Sequence, residues 1–394
     1  MAGEQSTENT SEETITRREF LKRAALAGVG LTGVAAAATG LSRLLPHAEA
    51  ATDAGVHEAR YYRKLGGGRV QCTLCPWQCV TADGQRGVCR VRENRNGKYY
   101  SLVYGEAAAL HVDPIEKKPL FHFHPGTWAL SVGTAGCNLR CKDCQNWEIS
   151  QRTPEQLRAE HRLISMPPQT LVAKAKSNAI PTIAYTYNEP IAFYEYMYDT
   201  AKLARQQGIK SVMISSGSIN REPLLALAPY LDAVKIDLKG FSDDFYREYT
   251  SGALEPVKMT IKRLVALGKW LEIVYLVVPT VNDDPATIEA MAEWLVKVGG
   301  PYLPLHFSRF FPAYRLKNLP ATPISTLQRC RHIARQAGLK YVYVGNVSGS
   351  DLASTYCPSC GEVVIKRDGY QILACNLKPN GACRFCGTTI HGIW

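Results

Sequence analysis

The sequence predicts an α/β protein whose centre is a partial β/α barrel, flanked on each side by a small cysteine-rich unit. Short apolar runs alternate with helical stretches from about residue 128 to residue 345. Cysteine and glycine are concentrated on both sides of that segment, where hydrophobic periodicity is weak. The chain has 394 residues, 46% of them hydrophobic and 21% charged. That composition is typical of globular domains and excludes a mainly disordered or fibrous protein.

Strand-like runs and helical stretches follow one another in the central segment. The strand-like runs are residues 128–132, 182–187, 211–215, 233–238, 271–278, 305–310 and 341–344. The helical stretches are residues 168–177, 191–207, 222–231, 243–249, 257–267, 285–298 and 324–337. Because helices of this length separate the strands, the pattern predicts parallel β/α units and a barrel or part of one.

The first fifty residues have the order of an export signal. Two arginines in residues 16–22 (TRREFLK) precede an uncharged stretch, residues 24–42, and a small-x-small sequence ends at Ala50. This order is typical of a twin-arginine signal peptide. The alternative is a transmembrane anchor, although the stretch is mostly alanine and glycine. We therefore expect a periplasmic protein, or one at the cytoplasmic face if the leader is inefficient, with membrane contact only through an uncleaved leader.

Four segments are predicted. They are a twin-arginine signal peptide at 1–50, a cysteine-rich region at 55–127, the barrel at 128–348 and a zinc-ribbon-like unit at 350–394. The formal net charge is +11, which suits anionic partners such as nucleic acid. However, the basic residues are not interleaved with stacking aromatic residues in any one stretch, so nucleic acid is not the favoured partner.

Cysteine is unusually frequent, and its spacing indicates metal binding. Twelve of the thirteen cysteines fall into three clusters, and Cys330 stands alone. The clusters are Cys72, Cys75, Cys79 and Cys89; Cys137, Cys141 and Cys144; and Cys357, Cys360, Cys375, Cys383 and Cys386. Loops of two or three residues between cysteines are poor disulfide frameworks but suit thiolate ligation.

The middle cluster, residues 137–144 (CNLRCKDC), follows the first predicted barrel strand. Three thiolates from one loop can hold three corners of an iron–sulfur cube and leave the fourth iron open to another ligand. The carboxyl ends of barrel strands are where barrel enzymes place their chemistry. The alternative is a structural zinc loop with its fourth ligand elsewhere, or simply buried cysteines.

At these residues the chain resembles the radical S-adenosylmethionine (SAM) superfamily. The resemblance is nearest to relatives of pyruvate formate-lyase activating enzyme, and among them to the family named AmmeMemoRadiSam system radical SAM enzyme. It extends from about residue 70 to residue 394. It includes residues 72–79 (CTLCPWQC), 113–123 (DPIEKKPLFHF), 144–150 (CQNWEIS), 185–190 (YTYNEP), 235–239 (KIDLK) and the closing cysteines.

The resemblance implies a barrel of the radical SAM type and a [4Fe-4S] cluster on Cys137, Cys141 and Cys144. SAM would chelate the open iron through its amino nitrogen and carboxylate. One electron from a low-potential donor would then split SAM into methionine and a 5′-deoxyadenosyl radical. That radical would abstract hydrogen from an unidentified protein or small-molecule substrate, as glycyl-radical activases do. No residue is assigned to catalysis itself.

The resemblance also implies SAM contacts near strand ends. Glu189 and Asn188 match the superfamily's GGEP region, which contacts the SAM amino group, although Tyr187 and Asn188 replace its two glycines. Ser215 and Ser216 would bind the ribose or the carboxylate.

The next strands supply two further candidates. Asp237, with Lys239 beside it, matches a position near the SAM carboxylate, and His306 would line the adenine or substrate pocket. For every one of these residues the alternative is a strand-end polar group satisfied within the fold.

Asp143, just before the last cluster cysteine, departs from the superfamily pattern, which has an aromatic or apolar residue packing on adenine there. An acid cannot supply that contact. Trp147 or Phe307 would then have to compensate, while the cluster itself is unaffected.

The flanking cysteines predict two more sites. Cys357, Cys360, Cys383 and Cys386 form two C-x2-C pairs, each followed by glycine, as in a zinc ribbon. Cys375 is then a spectator thiol or part of a second small cluster. Cys72, Cys75, Cys79 and Cys89 also suit a four-thiolate site, and spacing does not separate zinc from an iron–sulfur cluster, with zinc or a structural site favoured.

Basic residues precede the first barrel strand. Lys117, Lys118, His122 and His124 either line the barrel mouth or form a solvated, positively charged connector.

The favoured function is therefore a radical SAM oxidoreductase resembling the activating enzymes, with a low-potential electron donor as partner. The alternatives are a non-catalytic metal-binding or electron-transfer protein on a similar barrel, and an RNA-modifying radical SAM enzyme.

Overall fold

The protein is represented by a computed structural model that describes residues 55–394. The predicted signal peptide and its cleavage-like sequence lie outside the described residues. Within the part of the chain that the structure describes, no helix is long and apolar enough to cross a membrane.

Short antiparallel strands make up the segment before the barrel. They are β1 (His57–Glu58), β2 (Tyr62–Lys64), β3 (Val70–Cys72), β4 (Val80–Thr81), β5 (Arg92–Arg95), β6 (Lys98–Ser101), β7 (Glu106–Ala107) and β8 (Ala109–Pro114). Two three-stranded sheets result, in the orders β1-β6-β5 and β2-β3-β4. Their strands are too short to show hydrophobic alternation, which explains the weak periodicity of this region.

The barrel segment contains the next strands of the chain. They are β9 (Trp128–Gly133), β10 (Ile164–Ser165), β11 (Thr182–Tyr185), β12 (Lys210–Ser215), β13 (Ala233–Asp237), β14 (Trp270–Val277), β15 (Leu305–Arg309) and β16 (Val342–Gly345). The short strand β10 pairs with β7. The others form an eight-stranded sheet with β8, in the order β16-β15-β14-β13-β12-β11-β9-β8.

All pairs from β9 to β16 in this sheet are parallel, and neighbours in space are neighbours in sequence. This is the partial β/α barrel that the sequence predicts, with every predicted strand present. The sheet also has an unpredicted antiparallel strand at its edge: β8 pairs with β9, and Asp113 lies opposite Ala129.

Helices connect the parallel strands. They are α1 (Trp147–Ser150), α2 (Pro154–Ala159), α3 (Pro168–Ser177), α4 (Tyr194–Gln206), α5 (Arg221–Leu227), α6 (Asp243–Phe245), α7 (Leu254–Ala266), α8 (Pro285–Gly299) and α9 (Ile324–Gln336). Their starts follow ordinary capping chemistry: Asp284 accepts a hydrogen bond from the Thr287 amide, and Thr153 forms a capping box with Gln156. The helices pack on the outer face of the sheet, against strand residues such as Ile236 of β13.

The inner face of the sheet has an apolar part and a polar part. Ala129, Ala184, Val212, Ile214 and Ala233 belong to one small buried cluster. Polar side chains line the barrel cavity farther along the sheet: Lys235 and Asp237 follow Ala233 in β13, and His306 and Ser308 lie in β15. Strand alternation therefore separates a hydrophobic layer under the helices from a polar interior.

The C-terminal unit is a three-stranded antiparallel sheet, formed by β17 (Thr355–Tyr356), β18 (Val363–Asp368) and β19 (Gln371–Cys375). It packs against the barrel through a buried cluster that includes Phe121, Tyr343 and Val364. The guanidinium of Arg367 is buried in this contact and donates to the Phe121 carbonyl at 2.7 Å.

Candidate active site

The three middle cysteines lie in the loop between β9 and α1, at the carboxyl end of the sheet as predicted. The loop is held by the chain around Thr250, because the Arg140 amide donates to the Thr250 carbonyl at 2.7 Å and the Lys142 amide to the Tyr249 carbonyl at 2.9 Å. The Cys144 sulfur lies 3.1 Å from the Ser150 hydroxyl. The thiols therefore project from a loop with a fixed backbone.

Asn188 fixes the first part of this loop. Its Oδ1 accepts from the Thr134 amide at 3.1 Å, and its Nδ2 donates to the Gly136 carbonyl at 2.6 Å. A Cβ on Gly136 would lie 2.6 Å from the Cys89 carbonyl oxygen, so only glycine fits there. Asn188, predicted to contact SAM, thus has both its amide atoms engaged with the loop and acts as a positioning residue for it.

Tyr187 adopts a left-handed backbone conformation, with φ at 73°. The superfamily has a glycine at this position, and glycine suits the left-handed conformation, because a residue with a Cβ is less stable there by about 1–2 kcal/mol. The Tyr187 hydroxyl donates to Asp113 at 2.7 Å, and its carbonyl accepts from Asn146 at 2.8 Å. These contacts hold the strained residue between β8 and the cluster loop.

Glu189 and Ser215 are brought together, as the strand order requires. The buried Glu189 carboxylate accepts from the Ser215 hydroxyl at 2.6 Å and from the Ser216 amide at 2.8 Å. Burial raises the pKa of Glu189, while the hydrogen bonds from Ser215 and Ser216 lower it. The Ser216 hydroxyl itself is buried and has no hydrogen-bond partner among the described residues.

Asp237 lies between two lysines. Its carboxylate pairs with Lys235 and lies 3.3 Å from the Lys239 ammonium. Burial would raise the pKa of Asp237, but the two cations hold it below its usual value. The carboxylate therefore stays ionised, and Lys239 places positive charge close to Cys141 and Asp143.

His306 lines the barrel cavity, but its ring is already engaged. Its Nε2 lies 2.7 Å from the Glu272 carboxylate, which also accepts from the Phe121 and His122 amides at 2.9 Å each. Burial lowers the pKa of His306, against the raising effect of Glu272. The pair fastens residues 121 and 122 across the barrel.

The basic segment before β9 separates into two environments. Lys117 and Lys118 both line the cavity, and both pair with Asp113, at 2.8 and 2.6 Å. His122 is instead fully buried against the C-terminal unit, where its ring contacts the His391 carbonyl and the Tyr343 hydroxyl. Asp113 has no role in the sequence-based interpretation: Lys117 and Lys118 follow it closely, but its third partner, Tyr187, lies 74 residues away.

A cavity of about 1170 Å³ occupies the barrel interior. Gln145 and Asn146, directly after the last cluster cysteine, line it together with Asn188, Asp237 and His306. The C-terminal unit contributes further wall residues, such as Tyr370. The cavity thus joins the cysteine loop to the polar interior.

Comparison with known proteins identifies the family. Residues 131–295 match the family model described as Radical SAM superfamily. The uncharacterized protein MJ0808 of Methanocaldococcus jannaschii is 44% identical over 336 residues, which cover 85% of this chain and 99% of that protein. The chain belongs to the radical SAM superfamily.

Two further matches are activating enzymes, one curated protein and one solved structure. The (2S)-3-sulfopropanediol dehydratase activating enzyme of Klebsiella oxytoca is 24% identical over 123 residues, 31% of this chain and 39% of that enzyme. A domain of pyruvate-formate lyase-activating enzyme from Bacteroides vulgatus ATCC 8482 superposes with a TM-score of 0.37 at 19% identity, covering 41% of this chain and 98% of that domain.

The superfamily implies a [4Fe-4S] cluster and SAM, and the residues of this radical SAM enzyme fit both groups. Burial raises the pKa of the Cys137 thiol to about 12 and raises that of Cys141 well above its usual value. Thiols in such a place become thiolates when a metal binds them. The unpartnered Ser216 hydroxyl beside Glu189 offers a polar contact to SAM.

Asp143 remains a departure from the superfamily. Burial raises its pKa, while Lys239 opposes that shift. Phe307 does not compensate, because it packs on the helix side of the sheet with Tyr275. Trp147 stacks on Tyr314 with ring centroids 5.3 Å apart and is 38% exposed.

The four C-terminal cysteines converge as a zinc ribbon requires. Their sulfur atoms all lie within 4.8 Å of one another, with Cys357 and Cys386 3.6 Å apart and Cys360 and Cys383 3.8 Å apart. Four sulfurs around one zinc at 2.3 Å are separated by roughly 3.8 Å. These thiols can therefore hold one tetrahedral metal ion, and Cys375 lies outside the set.

Proposed function

We propose that this radical SAM enzyme cleaves SAM reductively and abstracts a hydrogen atom from a substrate held in the barrel cavity. When bound, the cluster supplies the electron that splits the sulfonium S–C bond of SAM and gives methionine and a 5′-deoxyadenosyl radical. A low-potential one-electron donor must deliver that electron.

The cavity is the observation that carries this proposal. It begins beside the cysteine loop, at Gln145 and Asn146, and continues past Asp237 and His306 into the barrel. Enzymes of this fold class place their chemistry at this end of the strands. Its walls carry both lysines and carboxylates, so we expect a polar substrate.

The residues of this chain would bind SAM and keep the cysteine loop in position. Glu189 and Ser216 lie just beyond the ends of β11 and β12 and would bind the amino acid moiety or the ribose of SAM. Asn188 holds the cysteine loop in place, and the C-terminal unit, which contributes part of the cavity wall, would help to exclude water. Excluding water protects a radical from side reactions.

The source of the hydrogen is either a small molecule or a protein. Similarity to the sulfopropanediol dehydratase activating enzyme favours the protein, which would make this enzyme an activase for a partner. The volume of about 1170 Å³ accommodates either a polar metabolite or a peptide segment beside SAM.

The test measures 5′-deoxyadenosine. The full chain, loaded with iron and sulfide without oxygen, is mixed with dithionite and SAM and compared with Cys141→Ala and with Cys330→Ala, which removes a lone buried thiol outside the clusters. We expect 5′-deoxyadenosine from the wild type and from Cys330→Ala but not from Cys141→Ala.

Deuterium then distinguishes the sources of hydrogen. A deuterated polar metabolite or peptide that is a substrate will transfer its label to 5′-deoxyadenosine. A wild-type protein with a full cluster that neither binds nor cleaves SAM would refute the proposed function.

A further inference from the structure

The four N-terminal cysteines line one small cavity of their own. Cys72, Cys75, Cys79 and Cys89 share its wall with apolar residues that include Leu74, Val88 and Ile191. Cys72 and Cys89 are buried, and the other two are partly buried. Burial raises the pKa of Cys89 to about 11 and raises the pKa of Cys72. Four thiols facing one apolar cavity are a ligand set and not a disulfide framework.

These thiols do not converge as closely as the four C-terminal thiols do. Among residues 55–394, only the C-terminal cysteines form a set of three or more ligand atoms within 4.8 Å of one another. The N-terminal thiols are more widely spread, as are Cys137, Cys141 and Cys144. Nevertheless, Cys75 is within electrostatic range of Cys72, Cys79 and Cys89. The N-terminal set therefore resembles the cluster loop and differs from the single-ion set of the same chain.

A buried cation accompanies the cavity. Arg92 lines it, is 1% exposed, and binds the buried Glu195 carboxylate at 2.8 and 3.0 Å. The Nε of Arg92 is buried without a partner among the described residues. The Val88 amide also points to a cysteine sulfur, donating to Cys79 at 3.4 Å. An unused cationic donor and an N–H···S contact both suit an anionic, sulfur-rich ligand.

The cavity abuts the loop that carries the first cluster. The Trp77 indole donates to the Asn138 carbonyl at 2.8 Å, and Asn138, directly after Cys137, lines the cavity. On the other side of the loop, the Arg140 guanidinium donates to the Val88 carbonyl. The N-terminal unit is thus fastened to the cluster loop at two points.

We propose that Cys72, Cys75, Cys79 and Cys89 ligate a second iron–sulfur cluster. With four protein thiolates, a [4Fe-4S] cluster has no open iron. It would therefore not bind SAM, in contrast to the cluster on the three-cysteine loop. The site is separate from the proposed SAM reaction, so either proposal can fail alone.

The experiment removes the first cluster and counts what remains. The full-length triple variant Cys137→Ala/Cys141→Ala/Cys144→Ala is purified without oxygen, reconstituted, and assayed for iron, acid-labile sulfide and zinc. We expect about four iron atoms and four sulfides per chain. After reduction, the electron paramagnetic resonance spectrum should show a cluster whose signal does not change when SAM is added.

A reciprocal variant and a matched control complete the test. Cys75→Ala/Cys79→Ala should lose about four irons relative to the wild type and keep a signal that SAM perturbs, while Cys330→Ala should keep all the iron. A triple variant that holds additional zinc in place of iron, or holds no iron at all, would overturn the proposal. This result does not depend on whether the reciprocal variant folds.

Discussion

The polar side chains at the site differ in whether their polar atoms have hydrogen-bond partners within the protein. The side-chain amide of Asn188 donates a hydrogen bond to the Gly136 carbonyl, and the ring of His306 is hydrogen-bonded to Glu272. The Ser216 hydroxyl is buried beside Glu189 with no partner among the described residues. Buried polar atoms are ordinarily paired, so an unpaired one next to a binding site indicates a ligand contact.

Replacing Ser216 with alanine should separate SAM binding from folding. We expect Ser216→Ala to cost little stability, since the hydroxyl makes no well-directed internal hydrogen bond, and to weaken SAM binding about fivefold, the equivalent of about 1 kcal/mol. Equilibrium dialysis of SAM against the anaerobic holoenzyme measures this. Thr200→Val is the control, because it removes another unpartnered buried hydroxyl, in α4. Equal SAM affinity in Ser216→Ala and the wild type would contradict the prediction.

Residue positions at strand ends were predictable from the sequence, but their partners were not. Glu189 closely follows β11 and Ser215 ends the neighbouring parallel strand β12, so their contact follows from the strand order. His306 bonds to a residue 34 positions away, and Asp113 bonds to Tyr187, 74 positions away. Single-sequence patterns contain local periodicity and carry no information on such distant pairs.

Long buried strands that are separated by amphipathic helices were predicted best. The strands of the parallel sheet, β9 and β11 to β16, were all expected, because their apolar runs are long and are separated by amphipathic helices such as α7. The two-residue strand β10 was not predicted. Strand β8 was missed, since it is half-exposed at the sheet edge and its burial does not alternate. The predicted helix at 243–249 is instead a short α6 followed by a π-helix, Tyr246–Thr250, whose last carbonyls accept from the cluster loop.

Besides its pairing with β9, the edge strand β8 is fastened to the barrel by the side chain of one carboxylate. Asp113 pairs with Lys118, which is 3% exposed, and accepts from Tyr187. We expect Asp113→Asn to destabilise the protein by about 1–2 kcal/mol at pH 7, because the buried Lys118 loses its counter-charge and is then more stable without its proton. Urea unfolding of the anaerobic protein measures this, with Lys117→Met as the control, since Lys117 is half-exposed.

The pH dependence gives a second readout of the same pair. Burial lowers the pKa of Lys118 to about 8, against the raising effect of Asp113. Lys118 therefore loses its proton in the folded protein as the pH rises through about 8, and its attraction to Asp113 is lost with it. The destabilisation by Asp113→Asn should thus be smaller at pH 9.5 than at pH 7. A cost that is small at pH 7, or independent of pH, would rule out this role for Asp113.

At the scale of the whole molecule, the two cysteine-rich units serve different parts of the barrel. The N-terminal unit contacts the cluster loop through Trp77 and Val88. The C-terminal unit covers the cavity and is joined to the barrel by Arg367 and by the His122 contacts. The convergence of the four C-terminal thiols was predictable, because cysteine spacing is a local pattern. The sequence did not predict which face of the barrel each unit covers, because this depends on contacts between distant segments.

Metal in the C-terminal unit should therefore hold the barrel closed. We expect Cys360→Ser to lose one zinc per chain and to lower the thermal midpoint by roughly 5 °C, for a loss of about 2 kcal/mol. Since Cys360 is exposed, serine itself causes no packing defect there. Iron per chain should be unchanged, and trypsin should cut residues 346–370 faster, because the unit no longer stays against the barrel. Zinc analysis, calorimetry and timed proteolysis make the comparison with Cys375→Ser, an exposed cysteine outside the four. If Cys360→Ser loses its zinc but keeps the stability and protease resistance of Cys375→Ser, the metal does not close the cavity, and the apolar contact around Phe121 and Val364 does so alone.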